Sequence, residues 1–489
     1  MAATVEEQES SAAQHARGRL TARERLDILF DEASFAEAEP AGHGVVIGHG
    51  SVQGRPVAAF SQDVTNAGGV ITRDHAEKIG RLIDQAKSAG APIVGIYDSP
   101  GGALEEGLAC LGAQAAMLHQ LARAQSRVPH VALVFGHTAG TAALGPVLAD
   151  FTFMLDRAGT LCLSGPEITR RATGEIASVE SLGGAVLHAT HTGMADGVFA
   201  NEIDLLVAAR DLIDLLPSAS DKPAPLIAAG DVPDRAEPAL DKLVPLDPAE
   251  PYDMRDLARA VLDENDLFEI QPDHAGNIMC GFGRLDGRTI GIIGSQPMVL
   301  GGAIDSAAAR KAVRFAHRCD RFGLPIVTLL DSPGFLPGIA EESRGIVADA
   351  ASLLTALARA SVPRITIVTR RAVGPAWAVL GPPSMTRSAC YAWPGAEIAA
   401  MTGRAAAELL FPAGEDQKKR DYAATIADPS SAVDAGFVDA VIRPAETRRT
   451  IAEALRRMRK DPAACCQSRL RTERAYEGER PKWLITKQS

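Results

Sequence analysis

The sequence predicts an α/β protein made of two copies of one parallel-sheet unit. Three observations predict it: segments recur at a nearly constant offset, each copy alternates helical stretches with short apolar runs, and those runs end in glycine- and proline-rich turns. The repeat can be read directly. Gly54-Arg55-Pro56-Val57 returns as Gly287-Arg288-Thr289-Ile290, 233 positions later. The segment APIVGIYDSPG from Ala91 to Gly101 returns as LPIVTLLDSPG from Leu324 to Gly334 at the same offset, and Val128–Val134 returns as Val362–Val368 at an offset of 234. Self-similarity at a fixed period marks a duplicated structural unit.

The elements follow in one order in each copy. A helix-like stretch comes first, His75–Gly90 and again Ala307–Gly323. An apolar, β-rich run follows, closing on Asp98-Ser99-Pro100-Gly101 or Asp331-Ser332-Pro333-Gly334. A second helix, a second apolar run and a glycine turn complete the unit. Short strands without polar alternation, set between helices, predict a parallel sheet covered on both faces. Glycine and proline just after the strands place close backbone approach at their carboxyl ends, where open α/β sheets bind ligands. At 489 residues the chain is too long for one core. We read residues 1–216 as the first domain, 217–252 as a Pro-, Asp- and Ala-rich linker, and 253–489 as the second domain.

Composition narrows the function. A formal net charge of −11 argues against a nucleic-acid surface, and 4% aromatic residues are too few for a base-stacking platform. The seven cysteines (Cys110, Cys162, Cys280, Cys319, Cys390, Cys465 and Cys466) are scattered and form no CxxC pair, so no zinc site is expected. Their odd number suits reduced thiols in the cytoplasm. The N-terminal residues are polar and acidic, unlike a secretory signal, and no run of about 18 apolar residues predicts a membrane span.

The chemistry should lie in the glycine turns. Asp98–Ala103 and Thr138–Ala143 leave room for a ligand against the backbone, and a helix starting there aims N–H groups outward. Two such donors make an oxyanion hole, suited to a thioester carbonyl that becomes an enolate. Neither turn is a GxGxxG fingerprint or a P-loop. Ser99 and Ser332 stand outside any GxSxG elbow. His75 and His137 are candidate bases, although lone histidines are more often structural. Glu105-Glu106 is read as a solvated first helical turn rather than a base. A duplicated scaffold with no active site is the plain alternative.

The chain also resembles a known family. The opening Gly18-Arg19-Leu20-Thr21-Ala22-Arg23-Glu24-Arg25-Leu26, with Asp31 and Ser34-Phe35, is similar to the start of biotin-dependent acyl-CoA carboxyltransferase β subunits. These include propionyl-CoA and acetyl-CoA carboxylases, transcarboxylase and the decarboxylase α subunits. Ordered matches continue along the chain: Ala76–Ile79, Ser164–Glu167, Thr173–Glu175, Leu182–Ala185, Pro251–Asp253, Gln296–Met298, Pro333–Gly338 and Trp393–Ile398. The resemblance implies tandem crotonase-like domains and acyl-CoA carboxyl transfer through a backbone-stabilised enolate, with no metal. It places the thioester at Gly140 and Thr141, near Ser99, Gly101, Gly102, Ala103 and Ala139. It places a biotin ureido oxygen at Gly374, Pro375 and Ala376. It further implies carboxybiotin as co-substrate on a separate carrier, a separate biotin carboxylase, and a homo-oligomer built of dimers, commonly a hexamer.

The chain departs from that family at three points. The usual Tyr-Gly-Gly-Ala-Tyr turn is here Val373-Gly374-Pro375-Ala376-Trp377, and proline has no N–H to donate. Losing one oxyanion donor costs about 3 kcal/mol. A family cation is replaced by Ala103 and a neutral amide by Glu105, while Thr141 stands for a second glycine. Three readings follow: a carboxyltransferase whose neighbouring N–H groups compensate, a biotin-independent decarboxylase or transcarboxylase acting on a malonyl-type thioester, or a non-catalytic subunit of a carboxylase complex. Thr447–Lys460 is read as an amphipathic, Arg-rich helix on the solvated surface.

Overall fold

All seven residues of Ile93–Ser99 are buried, and so are all seven of Ile326–Ser332. Burial on both strand faces requires a covering layer on each side. The structure is a computed structural model. It describes residues 5–460 apart from 41, 43, 229, 233, 246, 248, 249, 382–386 and 427, so Cys465, Cys466 and the end of the second predicted domain lie outside the described residues.

Two compact units result. The first comprises residues 1–225, 270–275 and 321–323, the second 226–269, 276–320 and 324–489. The first sheet contains β1 (Ala36–Glu37), β2 (Val45–Val52), β3 (Arg55–Gln62), β4 (Ile93–Ser99), β5 (His130–Ala139), β6 (Phe151–Leu155), β7 (Thr160–Cys162) and β8 (Gly197–Phe199). Its order is β1-β2-β3-β4-β5-β6-β8, with β7 also on β5. The second contains β9 (Phe268–Ile270), β10 (Ile278–Leu285), β11 (Arg288–Ser295), β12 (Ile326–Ser332), β13 (Arg364–Val373), β14 (Ser388–Ala392), β15 (Glu397–Ala399) and β16 (Ala440–Val441). Its order, β9-β10-β11-β12-β13-β14-β16 with β15 on β13, repeats the first strand for strand. These are the duplicated α/β units the repeat predicted, and they agree with the tandem crotonase-like domains the resemblance implied.

The duplication extends to single contacts. Strand β4 pairs with β5, and β12 with β13, in parallel, and each pair has an irregularity just before its turn, between Tyr97 and Ser99 or between Leu330 and Ser332. Lys78 lies buried with Nζ donating to the Val45 carbonyl at 3.1 Å, and Lys311 does the same to Ile278 at 2.8 Å. Burial lowers the pKa of both ammonium groups. Each satisfies a carbonyl at the start of an edge-side strand that would otherwise be buried without a partner.

The first predicted helix begins earlier than its apolar pattern, at Arg73 rather than His75, because the Thr72 side chain accepts the His75 N–H. It ends at Gly90, whose φ of 63° stops it in the left-handed region. Parts of the stretch read as a linker are built into the second unit: Leu240 joins its core, and Ile227 N–H donates to Gly287 O at 3.0 Å. The helix Thr447–Lys460 departs from expectation. Its Ile451, Ala452, Leu455 and Met458 are core residues, and Arg448 is buried against Asp263 at 2.6 Å. The apolar stripe therefore docks the helix rather than leaving it on the solvated surface.

Candidate active site

In the first unit, the parallel pairing of β4 with β5 makes Ser99 and Thr138 neighbours, so both strands deliver their turns to one place. The β4 turn is tied down by its own backbone: Ile71 N–H donates to Gly101 O and Ala103 N–H to Ile71 O, each at 2.8 Å. Gly101 adopts a φ of 121°, which excludes side chains, and a Cβ on Gly102 would collide with the Gln114 amide. The two glycines thus let the loop lie flat against the helix Leu108–Ala124. Glu106, read as part of a solvated turn, is exposed as expected, but its carboxylate accepts the Arg73 N–H at 2.6 Å and so tops the preceding helix.

The β5 turn carries the donors. Gly140 takes a φ of 65° and opens a 3-10 turn, Gly140–Ala143. The first N–H groups of such a turn have no partner within it, and among the described residues those of Gly140 and Thr141 meet no backbone acceptor. They border a cleft of about 600 Å3 together with Gly101, Gly102, Ala103 and Ala139. Cys110 and Gln114 line it from the helix, His137 from β5, and Leu104, Leu163 and Ile168 from the rim. Ser99 is the exception among the predicted binding residues. It is fully buried, and its Oγ accepts the Gly101 N–H at 3.3 Å, so it shapes the turn instead of facing a ligand.

A buried ionic cluster lies under these turns. Thr21 and Glu24 form a capping box on the helix Ala22–Leu29, which carries Arg25 inward. Arg25 bonds Asp98 at 3.1 Å and Glu202 at 3.0 Å and lies 4.5 Å from the Phe135 ring centre. Arg19 adds contacts to Asp98, Glu202 and the Phe135 carbonyl. The matching carboxylate of the second unit, Asp331, is instead held by Arg370 at 2.9 Å and Arg371 at 2.8 Å, both on β13. The segment Gly18–Leu26 that carried the family resemblance therefore neutralises the residue just before the first turn.

The second unit's turn is chemically poorer. Gly374 has a φ of 56°, like Gly140, but its N–H donates to Ala399 O at 2.7 Å. This corrects the expectation that Gly374 supplies an oxyanion donor: β15 already uses it. Pro375 has no N–H and starts the helix Pro375–Leu380, a position where proline fits. Of the three predicted residues only Ala376 keeps an N–H for a ligand. A second cleft of about 490 Å3 is bordered by Gly374, Trp377, Ile398, Ala400 and Phe437.

The remaining candidates separate. His75 is buried, with Nε2 at 3.3 Å from the Gln62 amide and away from the cleft. Cys162 is buried, which raises its thiol pKa and makes it a poor nucleophile. Cys110, Gln114, Leu163 and Ile168 were not singled out from the sequence. The i, i+4 spacing of Cys110 and Gln114 just after the glycines was the available signal. Among the described residues no cluster of three or more His, Cys, Asp or Glu side chains could hold a metal, and no helix is long and apolar enough to cross a membrane.

The chain is an enzyme of the carboxyltransferase class, as its family and relatives show. The chain belongs to the carboxyl transferase domain family, which it matches over residues 13–471. It is 40% identical over 469 residues to the propionyl-CoA carboxylase beta chain of Cereibacter sphaeroides, covering 91% of this chain and 92% of that protein. The mitochondrial propionyl-CoA carboxylase beta chain of Mus musculus is 41% identical, covering 90% and 85%. Transcarboxylase 12S, crystallised as a hexamer with hydrolysed methylmalonyl-CoA, superposes with a TM-score of 0.87 at 35% identity, covering 92% of this chain and 91% of that one.

Proposed function

We propose that this carboxyltransferase moves a carboxyl group to or from the α-carbon of an acyl-CoA thioester held in the first unit's cleft. The thioester oxygen accepts the Gly140 and Thr141 N–H groups, which strengthen their bonds as the enolate forms. Each donor aimed at such an oxygen contributes about 3 kcal/mol to the transition state. Gly101, Gly102, Ala103 and Ala139 form the close-fitting wall, and their lack of bulk lets the thioester approach the backbone. The reading is supported above all by one contrast: the β5 turn keeps two consecutive donors over a cleft, while the β13 turn keeps one.

The carboxyl donor in this reading is carboxybiotin on a separate carrier, served by a biotin carboxylase, with Ala376 N–H facing the ureido oxygen. Rim residues support a homo-oligomer built of dimers, a hexamer by analogy with transcarboxylase 12S. Leu104 is 92% exposed, Leu108 85% and Ile168 60%, an apolar rim that a second copy would cover. The enzyme works in the cytoplasm.

The test uses the purified chain with propionyl-CoA, a malonyl-type thioester and free biotin. Calorimetric binding of the thioesters and carboxyl exchange that depends on biotin are expected. Release of CO₂ with no biotin-dependent carboxyl exchange beside it would favour the decarboxylase reading, and no thioester binding would refute both.

A further inference from the structure

One histidine in the cleft has no part in the scheme above. His137 lies on β5, two residues before Ala139, and both border the cleft. Its cross-strand neighbour in the β5–β7 register is Thr160, and His137 Nδ1 lies 2.8 Å from Thr160 Oγ1. Thr160 is itself buried, so this bond fixes the ring plane. Nε2 has no protein partner among the described residues. The equivalent residue of the second unit, 234 positions on, is Arg371, whose guanidinium is bound to Asp331 at 2.8 Å. An arginine so placed does not exchange protons. The two copies therefore differ here in kind: the first unit has an imidazole with a free ring nitrogen, which can accept or donate a proton, where the second has a guanidinium held by a carboxylate.

We infer that His137 is the proton-transfer residue of this cleft and gives the chain an activity of its own, exchange of the thioester α-hydrogen and decarboxylation of a malonyl-type thioester, both without a biotin carrier. The inference rests on the acyl-CoA reading of the cleft. In exchange, Nε2 takes the α-proton and the C–H electron pair becomes the enolate, whose charge lies on the oxygen facing Gly140 and Thr141. The imidazolium keeps its Nδ1–H bond to Thr160 and returns a solvent-derived proton to the same carbon. In decarboxylation, the bond from the α-carbon to the carboxylate breaks, CO₂ leaves, and its electron pair forms the same enolate. Nε2–H then protonates the α-carbon, and solvent restores the proton to the ring. No oxidant or second substrate is needed.

The experiment is α-deuteration of propionyl-CoA by the full chain in D₂O without biotin, followed by NMR, beside calorimetric binding of propionyl-CoA. The native chain is expected to exchange. His137→Gln should lower the rate about a hundredfold or more, within the range of general acid–base catalysis, and change the Kd less than about threefold. His137→Gly should recover exchange when imidazole is added, which a merely structural histidine would not show. Binding without exchange in the native chain, or equal exchange in His137→Gln, overturns the inference. Failure of the native chain to bind propionyl-CoA overturns the acyl-CoA reading instead.

Discussion

Thr141→Pro removes one N–H from the proposed oxyanion site while leaving the turn able to form. The protein supplies its own control, because the second unit carries Gly374-Pro375 at the corresponding turn, with a glycine φ of 56° beside 65° at Gly140. Thr141 sits in the first turn of its 3-10 segment, so no internal hydrogen bond is lost. The missing donor faces charge that develops only in the enolate. Its loss should remove about 3 kcal/mol of transition-state stabilisation, a fall in kcat of about 100-fold or more. The ground-state carbonyl is a weaker acceptor, and a neutral hydrogen bond contributes about 1 kcal/mol, so the Kd should rise less than about sixfold. Carboxyl-exchange kinetics, calorimetry and a thermal melt on the same preparation separate these effects. A variant that binds acyl-CoA, melts normally and turns over within about fivefold of native would refute the backbone mechanism.

Three further outcomes follow from the same structure. Pro375→Gly restores a donor to the second turn and should raise biotin-dependent exchange by up to about a hundredfold, whereas an unchanged rate would mean that this turn does not act on the biotin oxygen. Among the described residues neither ring nitrogen of the buried His130 has a hydrogen-bond partner, and burial pushes its pKa down to about 3. The folded chain thus holds it neutral while the unfolded chain protonates it near pH 6.5, so its stability contribution is present above that pH and is lost as pH falls toward 3. Relative to His130→Leu, the native chain should lose about 2 kcal/mol more between pH 7.5 and 5 in denaturant titrations, and parallel pH slopes would contradict this. Arg25→Met leaves the buried Asp98 and Glu202 carboxylates without their main cation and should destabilise the fold by about 3 kcal/mol, read by urea midpoint. A change below about 0.5 kcal/mol would show the cluster to be unimportant.

Much of the architecture was legible because the two copies kept the same residues where backbone geometry is strict. The apolar runs at 93–99, 128–134 and 326–332 and the glycines after them locate the sheets, the turns and six of the predicted residues around the first cleft. What could not be read depends on pairing between distant segments. That Ser99 faces inward follows from the register of β4 on β5, and that Gly374 has spent its N–H follows from β15, some 25 residues downstream. The Arg25–Glu202 contact likewise joins ends of the first unit that no local pattern relates. The amphipathic stripe of Thr447–Lys460 was visible, but not the core it covers. Lys78 and Lys311 are a different case: they stand 233 residues apart, the repeat offset itself, so the matched positions offered a signal of the shared buried contact that the repeat reading did not use.

The central claim concerns two nitrogen atoms and one oxygen. A crystal structure of the chain with a non-reactive acyl-CoA thioester analogue tests it most directly. The thioester oxygen should lie in the first unit's cleft, about 2.7–3.1 Å from the backbone nitrogens of both Gly140 and Thr141. A thioester bound elsewhere, or bound in the cleft with its oxygen turned away from those two nitrogens, would contradict it.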